Sequence, residues 1–510
     1  MLARARTFTI EGLHARAVSV EVDIRPGLPA FTIVGLADAA VREARDRVHA
    51  AVLNSGYEFP ARRITANLAP GDIPKIGPGF DLALACGVLA ASGQIPRERL
   101  DTHALFGELS LDGEVRPSHG TLAVAEATMK AGLDMLVLGS ARAREATLVD
   151  GLAVGVAQRL SSAARVLSGG APDPLPEPSR PPSSTGTTRQ GPDLSDVRGR
   201  PEAVRALIVA AAGSHNSLLS GPPGTGKTML AQRLPSILPP LERSEAIEVM
   251  RIHSVTGRLS GGEMLSERPF RAPHHSITTA GLIGGARRGW VGEVVLAHNG
   301  VLFLDELSEF ARPTLEALRQ PLEDGRVAIV RARHSAVYPS RFMLMAATNP
   351  CPCGYAGERE RCHCSEADLA RHRRRMSGPL LDRIDLLVHM ERSTVDHLRN
   401  QSSTSSAHAR EQVTEARERQ ARRLREEGVL VNAQMDAQML RRHVKLDEGG
   451  ERMLAHACER SVLSARGQHR ALRVARTIAD LAYRERVEAK HLSKALALRP
   501  EAGLSGRRAA

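Results

Sequence analysis

The stretch GPPGTGKT at residues 221–228 constrains the fold more than any other part of this chain. It fits the pattern G-x-x-x-x-G-K-[ST], in which the backbone N–H groups of a glycine-rich loop surround phosphate oxygens. The apolar run NSLLS precedes it and KTMLAQRLPSIL follows it, which predicts a strand before the loop and a helix after it. Lys227 would reach the β- and γ-phosphates of ATP, and the Thr228 hydroxyl would bind Mg²⁺. The predicted nucleotide-binding residues are Gly221, Pro222, Pro223, Gly224, Thr225, Gly226, Lys227 and Thr228.

Two further apolar runs end in polar residues suited to the same chemistry. VLFLDE at 301–306 predicts a buried strand that delivers Asp305 and Glu306 at its carboxyl end, where ligands of open α/β sheets bind. We predict that Asp305 completes the Mg²⁺ shell and that Glu306 orients or activates the attacking water. FMLMAATNP at 342–350 predicts another strand, whose Asn349 would touch the water or the γ-phosphate. These residues predict an ATPase with ATP and Mg²⁺ as its cofactors.

The composition changes sharply once along the 510 residues. Residues 169–192 are rich in Pro, Ser, Thr and Gly, which predicts a flexible linker. Before it, residues 1–168 alternate strand-like and helix-like runs, which predicts an α/β domain. After it, we predict an α/β core with a parallel sheet at 193–392 and a helical domain at 393–510.

The net charge of +12 and the pI of about 10.0 favour a polyanionic partner. The first residues, MLARARTFTIEGLHARAVSVEVDI, lack the apolar segment of a signal peptide, and no run approaches about 18 apolar residues. We therefore expect a cytoplasmic protein with no membrane partner.

Four of the six cysteines lie in CPCGYAGERERCHC at 351–364. In a reducing compartment, clustered cysteines bind metal more often than they form disulfides. Four thiolates can close a structural zinc site that would fix a loop too polar to fold on a core of its own. His363 is a substitute ligand, and four reduced thiols in a mobile loop are the alternative. Cys86 and Cys458 lie in apolar helical patterns and are expected in the core. The predicted Zn²⁺ ligands are Cys351, Cys353, Cys362 and Cys364.

Longer stretches resemble the ComM/YifB family of magnesium-chelatase-related AAA+ ATPases. They are RPFRAPHHSIT, GEVVLAHNGVLFLDEL, ATNPCPCGY and SGPLLDRIDL, with FTIVGLADAAVREARDRV and PGDIPKIGPGFDLALACGVLA in the N-terminal region. The resemblance covers nearly the whole chain. It implies a P-loop AAA+ core, a Lon-protease-like N-terminal domain and a helical C-terminal lid. This chain departs from the family at Arg200, where glutamine is usual, and at GSHN (213–216), where GGHN is commoner.

The resemblance also implies functional roles. Arg383 matches an arginine finger that acts on a neighbouring subunit, and Arg473, with Arg470 a close alternative, matches a second nucleotide sensor. A finger acting in trans implies a ring, which in this family is expected to be a homo-hexamer. The expected activity is that of a DNA helicase, acting on single-stranded or branched DNA. It would promote branch migration while DNA is integrated during natural transformation or homologous recombination.

The N-terminal region lacks the residues of a peptidase, although it resembles a Lon-type domain. A hydrolase would need a nucleophile activated by a lysine base. Serine is expected where Gly79 stands, and no Ser, Thr or Cys lies between Lys75 and Leu84. We therefore expect a scaffold that binds DNA or a partner.

Two basic stretches are candidates for DNA contact. GLIGGARRGWVGEV at 281–294 combines five glycines with two arginines and the only tryptophan, which suits a pore loop gripping single-stranded DNA. DGRVAIVRARHSAVYP alternates like a hairpin and also carries arginines. For both, a solvated loop with incidental arginines is the alternative. The candidate residues are Arg287, Arg288, Trp290, Arg331 and Arg333.

Two other functions remain open. One is a motor subunit of a magnesium chelatase, which would use ATP to help insert Mg²⁺ into a porphyrin. The other is a protein-remodelling ATPase with no nucleic-acid role. DNA-stimulated ATP turnover separates the DNA motor from the remodelling ATPase.

Overall fold

The computed structural model describes residues 1–177, 192–259, 262–285, 291–331, 334–356, 361–376, 378–392, 404–459 and 463–499. Its strands are β1 Leu2–Glu11, β2 His14–Arg25, β3 Ala30–Val34, β4 Arg63–Ala69, β5 His103–Phe106, β6 Glu108–Leu109, β7 Val115–Arg116, β8 Met135–Leu138, β9 Ala153–Val156, β10 Ser217–Ser220, β11 Phe270–Arg271, β12 Val301–Leu304, β13 Arg326–Arg331, β14 His334–Pro339, β15 Met343–Thr348 and β16 Leu386–His389. Its α-helices are α1 Ala39–Asn54, α2 Asp81–Ala91, α3 Thr121–Lys130, α4 Ala143–Ala146, α5 Leu160–Leu167, α6 Pro201–Gly213, α7 Lys227–Ala231, α8 Leu234–Ile237, α9 Arg243–Val255, α10 Thr279–Ile283, α11 Glu293–Leu296, α12 Arg312–Ala317, α13 Arg319–Asp324, α14 Glu366–Arg375, α15 Gly378–Leu381, α16 Ser406–Arg423, α17 Ala437–His443, α18 Glu448–Glu459, α19 Ala465–Leu481 and α20 Ala489–Ala497.

The first of two compact units consists of Met1–Ser183, Arg243–Leu265 and His334–Tyr338. Its sheet has the order β3-β4-β2-β1-β5-β8-β9, in which β2 is antiparallel to β1 and β4 and the other pairs are parallel. Helix α2 is buried along its whole length, because DLALACGVLAA is apolar on every side after its first residue. The predicted α/β character of the N-terminal region is confirmed.

Helix α9 belongs to this first unit, although in sequence it lies between the phosphate-binding loop and Asp305. Its buried Ser254 hydroxyl donates to Glu145 Oε2 at 2.6 Å. Arg251 donates two hydrogen bonds, of 2.9 and 2.7 Å, to Glu126. Met250 packs in an apolar cluster with Leu122 and Leu259. The stretch predicted as one core, residues 193–392, therefore contributes to both units.

The second unit consists of Ser184–Glu242, Ser266–Arg333 and Pro339–Ala510. Its sheet is parallel throughout, with the order β11-β12-β15-β10-β16. The residues of β12 and β15 are buried, as expected for apolar strands covered on both faces. Because β15 lies between β10 and β12, the carboxyl ends of these three strands meet at one edge of the sheet.

The C-terminal helices share a hydrophobic core with this sheet, including Val474 of α19 and Leu492 of α20. A buried polar chain also links them to it. Thr477 of α19 bonds His215 Nε2 at 2.8 Å, just before β10, and accepts a 3.0 Å hydrogen bond from Asn432. Asn432 donates in turn to Asp480 at 2.8 Å. The polar chain therefore crosses from the start of β10 to the helices.

The two cysteines that were predicted in the core differ in their burial. Cys86 is fully buried in α2, as predicted. The prediction for Cys458 was wrong, because this residue lies on an exposed position of α18. The neighbouring alanines make the local sequence apolar, but this side of the helix does not pack against the core. Of the helices that the structure describes, none is long and apolar enough to cross a membrane.

Candidate nucleotide-binding site

The loop 221–228 connects β10 to α7 and depends on its glycines. Gly224 and Gly226 have φ angles of +75° and +83°, which favour glycine because it has no Cβ. At Gly221, a Cβ would lie 2.2 Å from the carbonyl oxygen of Met390. The loop can therefore adopt this path only with glycine at these three positions.

Lys227 joins two parts of the site. Its ammonium donates to the carbonyl oxygens of Gly221 at 2.6 Å and Pro222 at 2.9 Å, and to Asn349 Oδ1 at 3.1 Å. Burial lowers the pKa of Lys227, and the nearby carboxylates of Asp305 and Glu306 oppose that shift. The lysine thus lies between the loop and the strand end that carries Asn349.

Thr228 and Asp305 form the expected pair for a divalent cation. The Thr228 hydroxyl donates to Asp305 Oδ2 at 2.6 Å. Hydroxyl and carboxylate oxygens are ligands that Mg²⁺ accepts, with the rest of its octahedral shell supplied by phosphate and water. The donor set therefore fits Mg²⁺ bound to a nucleotide.

Glu306 has a left-handed backbone, with φ of 52° and ψ of 50°, which is uncommon for a residue other than glycine. Its N–H donates to Asp305 Oδ1 at 2.9 Å. Its carboxylate lies 3.4 Å from His275 Nδ1. Sequence reasoning missed His275 as the partner of Glu306. The adjacent His274 instead bonds Ser276 Oγ at 2.8 Å.

The predicted arginine finger, Arg383, has an acidic partner within the same chain. Arg383 forms an ion pair with Glu323 on α13. Burial lowers its pKa, and the neighbouring Arg319, Arg466 and Arg470 add to that shift. Arg383 is therefore drawn to Glu323 in the single chain.

Arg470, the alternative to Arg473, contacts the backbone on either side of Arg383. It is buried and donates to the carbonyl oxygens of Leu381 at 3.3 Å and Ile384 at 2.9 Å. Burial lowers the pKa of Arg473, and Asp385 opposes this shift. The sequence could not distinguish the two arginines, because both lie on the same amphipathic helix.

The four cysteines of 351–364 come together, with their sulfur atoms all within 4.8 Å of one another. The Cys351 sulfur lies 3.3 Å from that of Cys353 and 3.9 Å from that of Cys362, and the latter two are 3.7 Å apart. A tetrahedral site with zinc–sulfur bonds of about 2.3 Å has sulfur–sulfur edges of about 3.8 Å. The backbone N–H of Tyr355 lowers the pKa of Cys353 to about 6, which favours a thiolate there, whereas burial raises the pKa of Cys351 to about 12. The cluster therefore fits zinc, and the exposed His363 is not part of it.

The cysteine loop is packed directly against the nucleotide site. Gly354, with φ of +87°, is so close to the phosphate-binding loop that a Cβ would lie 2.6 Å from Pro223 Cδ. Ser365, next to Cys364, caps α14 by accepting from the N–H of Asp368. From the same helix, the buried His372 donates through Nε2 to the carbonyl oxygen of Asn349 at 2.9 Å. The loop and helix thus brace Pro223 and Asn349.

The candidate DNA-contact residues are largely outside the described part of the chain. Arg287, Arg288, Trp290 and Arg333 lie outside the described residues, and so does the side chain of Arg331. Their role stays a prediction.

The N-terminal unit has no room for the missing nucleophile. A Cβ at Gly79 would lie 2.5 Å from the Phe106 ring. Lys75 is fully buried, and its ammonium donates to the carbonyl oxygen of Pro70. A peptidase nucleophile therefore does not fit at this position, and the expected scaffold role stays a prediction.

Comparisons with known proteins place this geometry in a family. Three family profiles match, described as "Magnesium chelatase, subunit ChlI" (residues 193–398), "Subunit ChlI of Mg-chelatase" (20–142) and "Magnesium chelatase, subunit ChlI C-terminal" (403–499). "Competence protein ComM" of Haemophilus influenzae is 41% identical over 96% of this chain and 95% of its own length. "Uncharacterized protein YifB" of Escherichia coli is 41% identical over the same shares. The chain belongs to the ComM/YifB family of magnesium-chelatase-related proteins. The resemblance noted from the motifs is thereby confirmed.

The ComM/YifB match includes the N-terminal unit, because the two relatives align over nearly their whole length. A more distant similarity concerns part of the chain only. "DNA replication licensing factor mcm7" of Schizosaccharomyces pombe is 25% identical over 56% of this chain and 35% of its own length.

Proposed function

We propose that this ComM/YifB-family ATPase is a DNA motor that hydrolyses ATP between the subunits of a homo-hexameric ring. It would act as a helicase on single-stranded or branched DNA and promote branch migration while DNA is integrated during natural transformation or homologous recombination. The observation that carries the proposal is the meeting of Lys227, Thr228, Asp305 and Asn349 at one sheet edge. The similarity to a competence protein and to a replication licensing factor supports DNA as the substrate.

Each residue at this edge has a part in hydrolysis. Thr228 and Asp305 would hold Mg²⁺, which supplies positive charge to the phosphates when bound. Lys227 would exchange its present acceptors for phosphate oxygens. Glu306 would accept the proton of the attacking water, and Asn349 would orient that water or the γ-phosphate. All of these groups would act in the subunit that holds the nucleotide.

Arg383 would act on the nucleotide of a neighbouring subunit. Its charge would stabilise the transition state, as an arginine finger does. To reach a neighbour it must leave Glu323, while Arg470 keeps the backbone on both sides of it in place. Arg470 is therefore a positioning residue in this proposal, and Arg473 remains the candidate for the second nucleotide sensor.

Zinc on the cysteine cluster would have a structural role. Cys351, Cys353, Cys362 and Cys364 would hold it as thiolates, leaving no ligand position for water. Fixing this loop would keep Gly354 against Pro223 and His372 against Asn349. The metal would thus stabilise the nucleotide site without taking part in hydrolysis.

A magnesium-chelatase motor subunit is the second candidate, favoured by the descriptions of the three family profiles. The similarity to ComM extends over nearly the full length of both proteins, which favours the DNA motor. The protein-remodelling ATPase has no specific observation in its favour.

ATP turnover and strand displacement test the proposal together. We expect branched DNA to stimulate ATP turnover and to be unwound only with ATP. Lys227→Ala should abolish nucleotide binding or turnover, because the only ammonium in the loop is lost. Glu306→Gln should bind ATP and assemble but hydrolyse it at least 100-fold more slowly, since the water loses its general base. Rings that turn over ATP but neither bind nor displace any DNA strand would refute the DNA motor. Normal turnover by Glu306→Gln would refute its catalytic role.

A further inference from the structure

Helix α14 carries a cluster of arginines on a support that is fixed to the nucleotide site. Its sequence EADLARHRRR leaves four arginines exposed around one buried histidine, His372. We call these four exposed side chains the arginine face, although at about 100° per residue they are spread around the solvent side of the helix, with Arg373 on the side away from Arg371 and Arg375: Arg371, Arg373, Arg374 and Arg375.

The arginine face has more positive charge than its neighbours neutralise. Arg371 pairs with Asp368 at 3.2 Å and Arg375 with Glu309 at 3.6 Å, both across exposed surface where ion pairs contribute little. Arg373 and Arg374 form no ion pair with the residues that the structure describes. Cations in the last turn do stabilise a helix through its dipole, but by about 0.3–1 kcal/mol each. Helix stability alone does not require four arginines in five positions.

The helix is anchored at both ends. Its capping box, Ser365 with Asp368, follows Cys364 directly, so the helix begins next to the cysteine cluster. Near its end, His372 is bonded to the carbonyl oxygen of Asn349. Arg375 reaches Glu309, three residues after Glu306. A ligand held by this helix would therefore be connected to both strand ends that face the nucleotide.

We propose that the arginine face of α14 binds the phosphodiester backbone of single-stranded DNA. This inference rests on the proposed DNA motor and names one of its contact surfaces. Arginine is suited to phosphate because its guanidinium donates hydrogen bonds in a planar fork. Helix α14 contains no Phe, Tyr or Trp, and its imidazole, His372, is buried and bonded to Asn349, so the contact is to phosphate and is independent of base sequence.

The salt dependence of DNA affinity tests this surface. Each neutralised phosphate contributes about 0.7 to the slope of log affinity against log salt for a single strand. The variant Arg373→Ala/Arg374→Ala removes two contacts, so we expect the slope to fall by about 1.4. Between 50 and 200 mM salt, the loss of affinity would then be about 7-fold smaller than in the parent protein. Arginine and alanine are both good helix formers, so the helix should persist.

Two matched variants control for charge and folding. Arg422→Ala/Arg452→Ala removes the same charge from exposed positions on α16 and α18, and should leave the slope unchanged. Arg373→Lys/Arg374→Lys keeps the charge and should retain most of the slope. Binding is measured with fluorescent oligonucleotides of two unrelated sequences, single-stranded and duplex.

The outcomes separate this surface from the motor itself. If the parent binds single-stranded DNA and the alanine variant has the parent's slope, the inference about this surface is wrong. The proposed DNA motor is then unaffected. The inference is also wrong if the alanine variant changes the slope only with duplex DNA, or if the α16/α18 control variant changes it by the same amount. If the parent binds no DNA in any form, the proposed function fails first.

Discussion

Replacing Gly354 by alanine should weaken ATP binding, because this glycine lies against the phosphate-binding loop. A Cβ at this position would be 2.6 Å from Pro223 Cδ and 2.8 Å from Pro223 Cγ. Optimal carbon–carbon contacts are about 3.5–4.0 Å, so one of the two backbones must move by about 1 Å. The proline ring cannot rotate away, and the loop that carries it must shift.

Two contributions set the magnitude. The φ angle of +87° at Gly354 disfavours alanine by about 1–2 kcal/mol, irrespective of neighbours. The overlap with Pro223 adds about 1–3 kcal/mol, the usual range for overpacking. If the loop relieves the overlap by leaving its phosphate-binding geometry, this second contribution reduces ATP affinity by roughly 5- to 150-fold.

Gly428→Ala is the matched control. Gly428 has a φ angle of +69°, and a Cβ built there would have nothing within 4 Å. Alanine at this position is therefore disfavoured by the backbone angle alone, without any steric overlap. The assay is equilibrium titration of each variant with a fluorescent ATP analogue, together with its thermal unfolding midpoint. Equal ATP affinity in the two variants, at equal stability, would refute the reasoning that the cysteine loop supports the phosphate-binding loop.

Two other predictions concern metal and pH. Purified protein should contain about one zinc per chain. The variant Cys353→Ser/Cys362→Ser should lose the zinc and unfold at a lower temperature. The control Cys458→Ser changes an exposed thiol outside the cluster and should keep the zinc. Absence of zinc from the parent, with unchanged ATPase activity after all four cluster cysteines become serine, would contradict the site. Burial raises the pKa of Asp81 from 3.8 to about 6, against two hydrogen bonds from Arg47. Because the folded state then holds the proton more tightly, this group's contribution to stability is complete below about pH 4. It is lost as the pH rises through about 6, by about 3 kcal/mol at most. The difference in unfolding temperature between the parent and Asp81→Asn should therefore change in favour of the variant as the pH rises from 4 to 7. A difference that stays constant over this range would show that the Asp81 pKa is not raised.

Much of the geometry of the candidate nucleotide site could be predicted from local patterns. A glycine-rich loop between an apolar strand and a helix is recognisable within about 20 residues, since each glycine is required by the backbone path and not by a distant contact. The acidic pair after VLFL is equally local, because a fully apolar run predicts a buried parallel strand and its carboxyl end is where ligands bind. The cysteine spacing likewise predicted a cluster, which the structure brings together.

The tertiary structure decided which distant residues support that site. His372 reaches the carbonyl oxygen of Asn349 across 23 positions, and Gly354 meets Pro223 across more than 100. No periodicity or motif records such pairs, because they depend on how strands and loops are placed in space. The partner of Glu306, His275, and the exposure of Cys458 were missed for the same reason.

Residues 243–265 illustrate the division most clearly. Within them, helix α9 (Arg243–Val255) has an apolar and a polar side, but its sequence does not specify which core the apolar side joins. The structure places that helix in the N-terminal unit, where Ser254 bonds the buried Glu145. The chain alone therefore determined the chemistry at the phosphate-binding loop, through short-range backbone requirements. Only the fold decided what holds this chemistry in place, because packing and buried hydrogen bonds form between residues that are far apart in sequence.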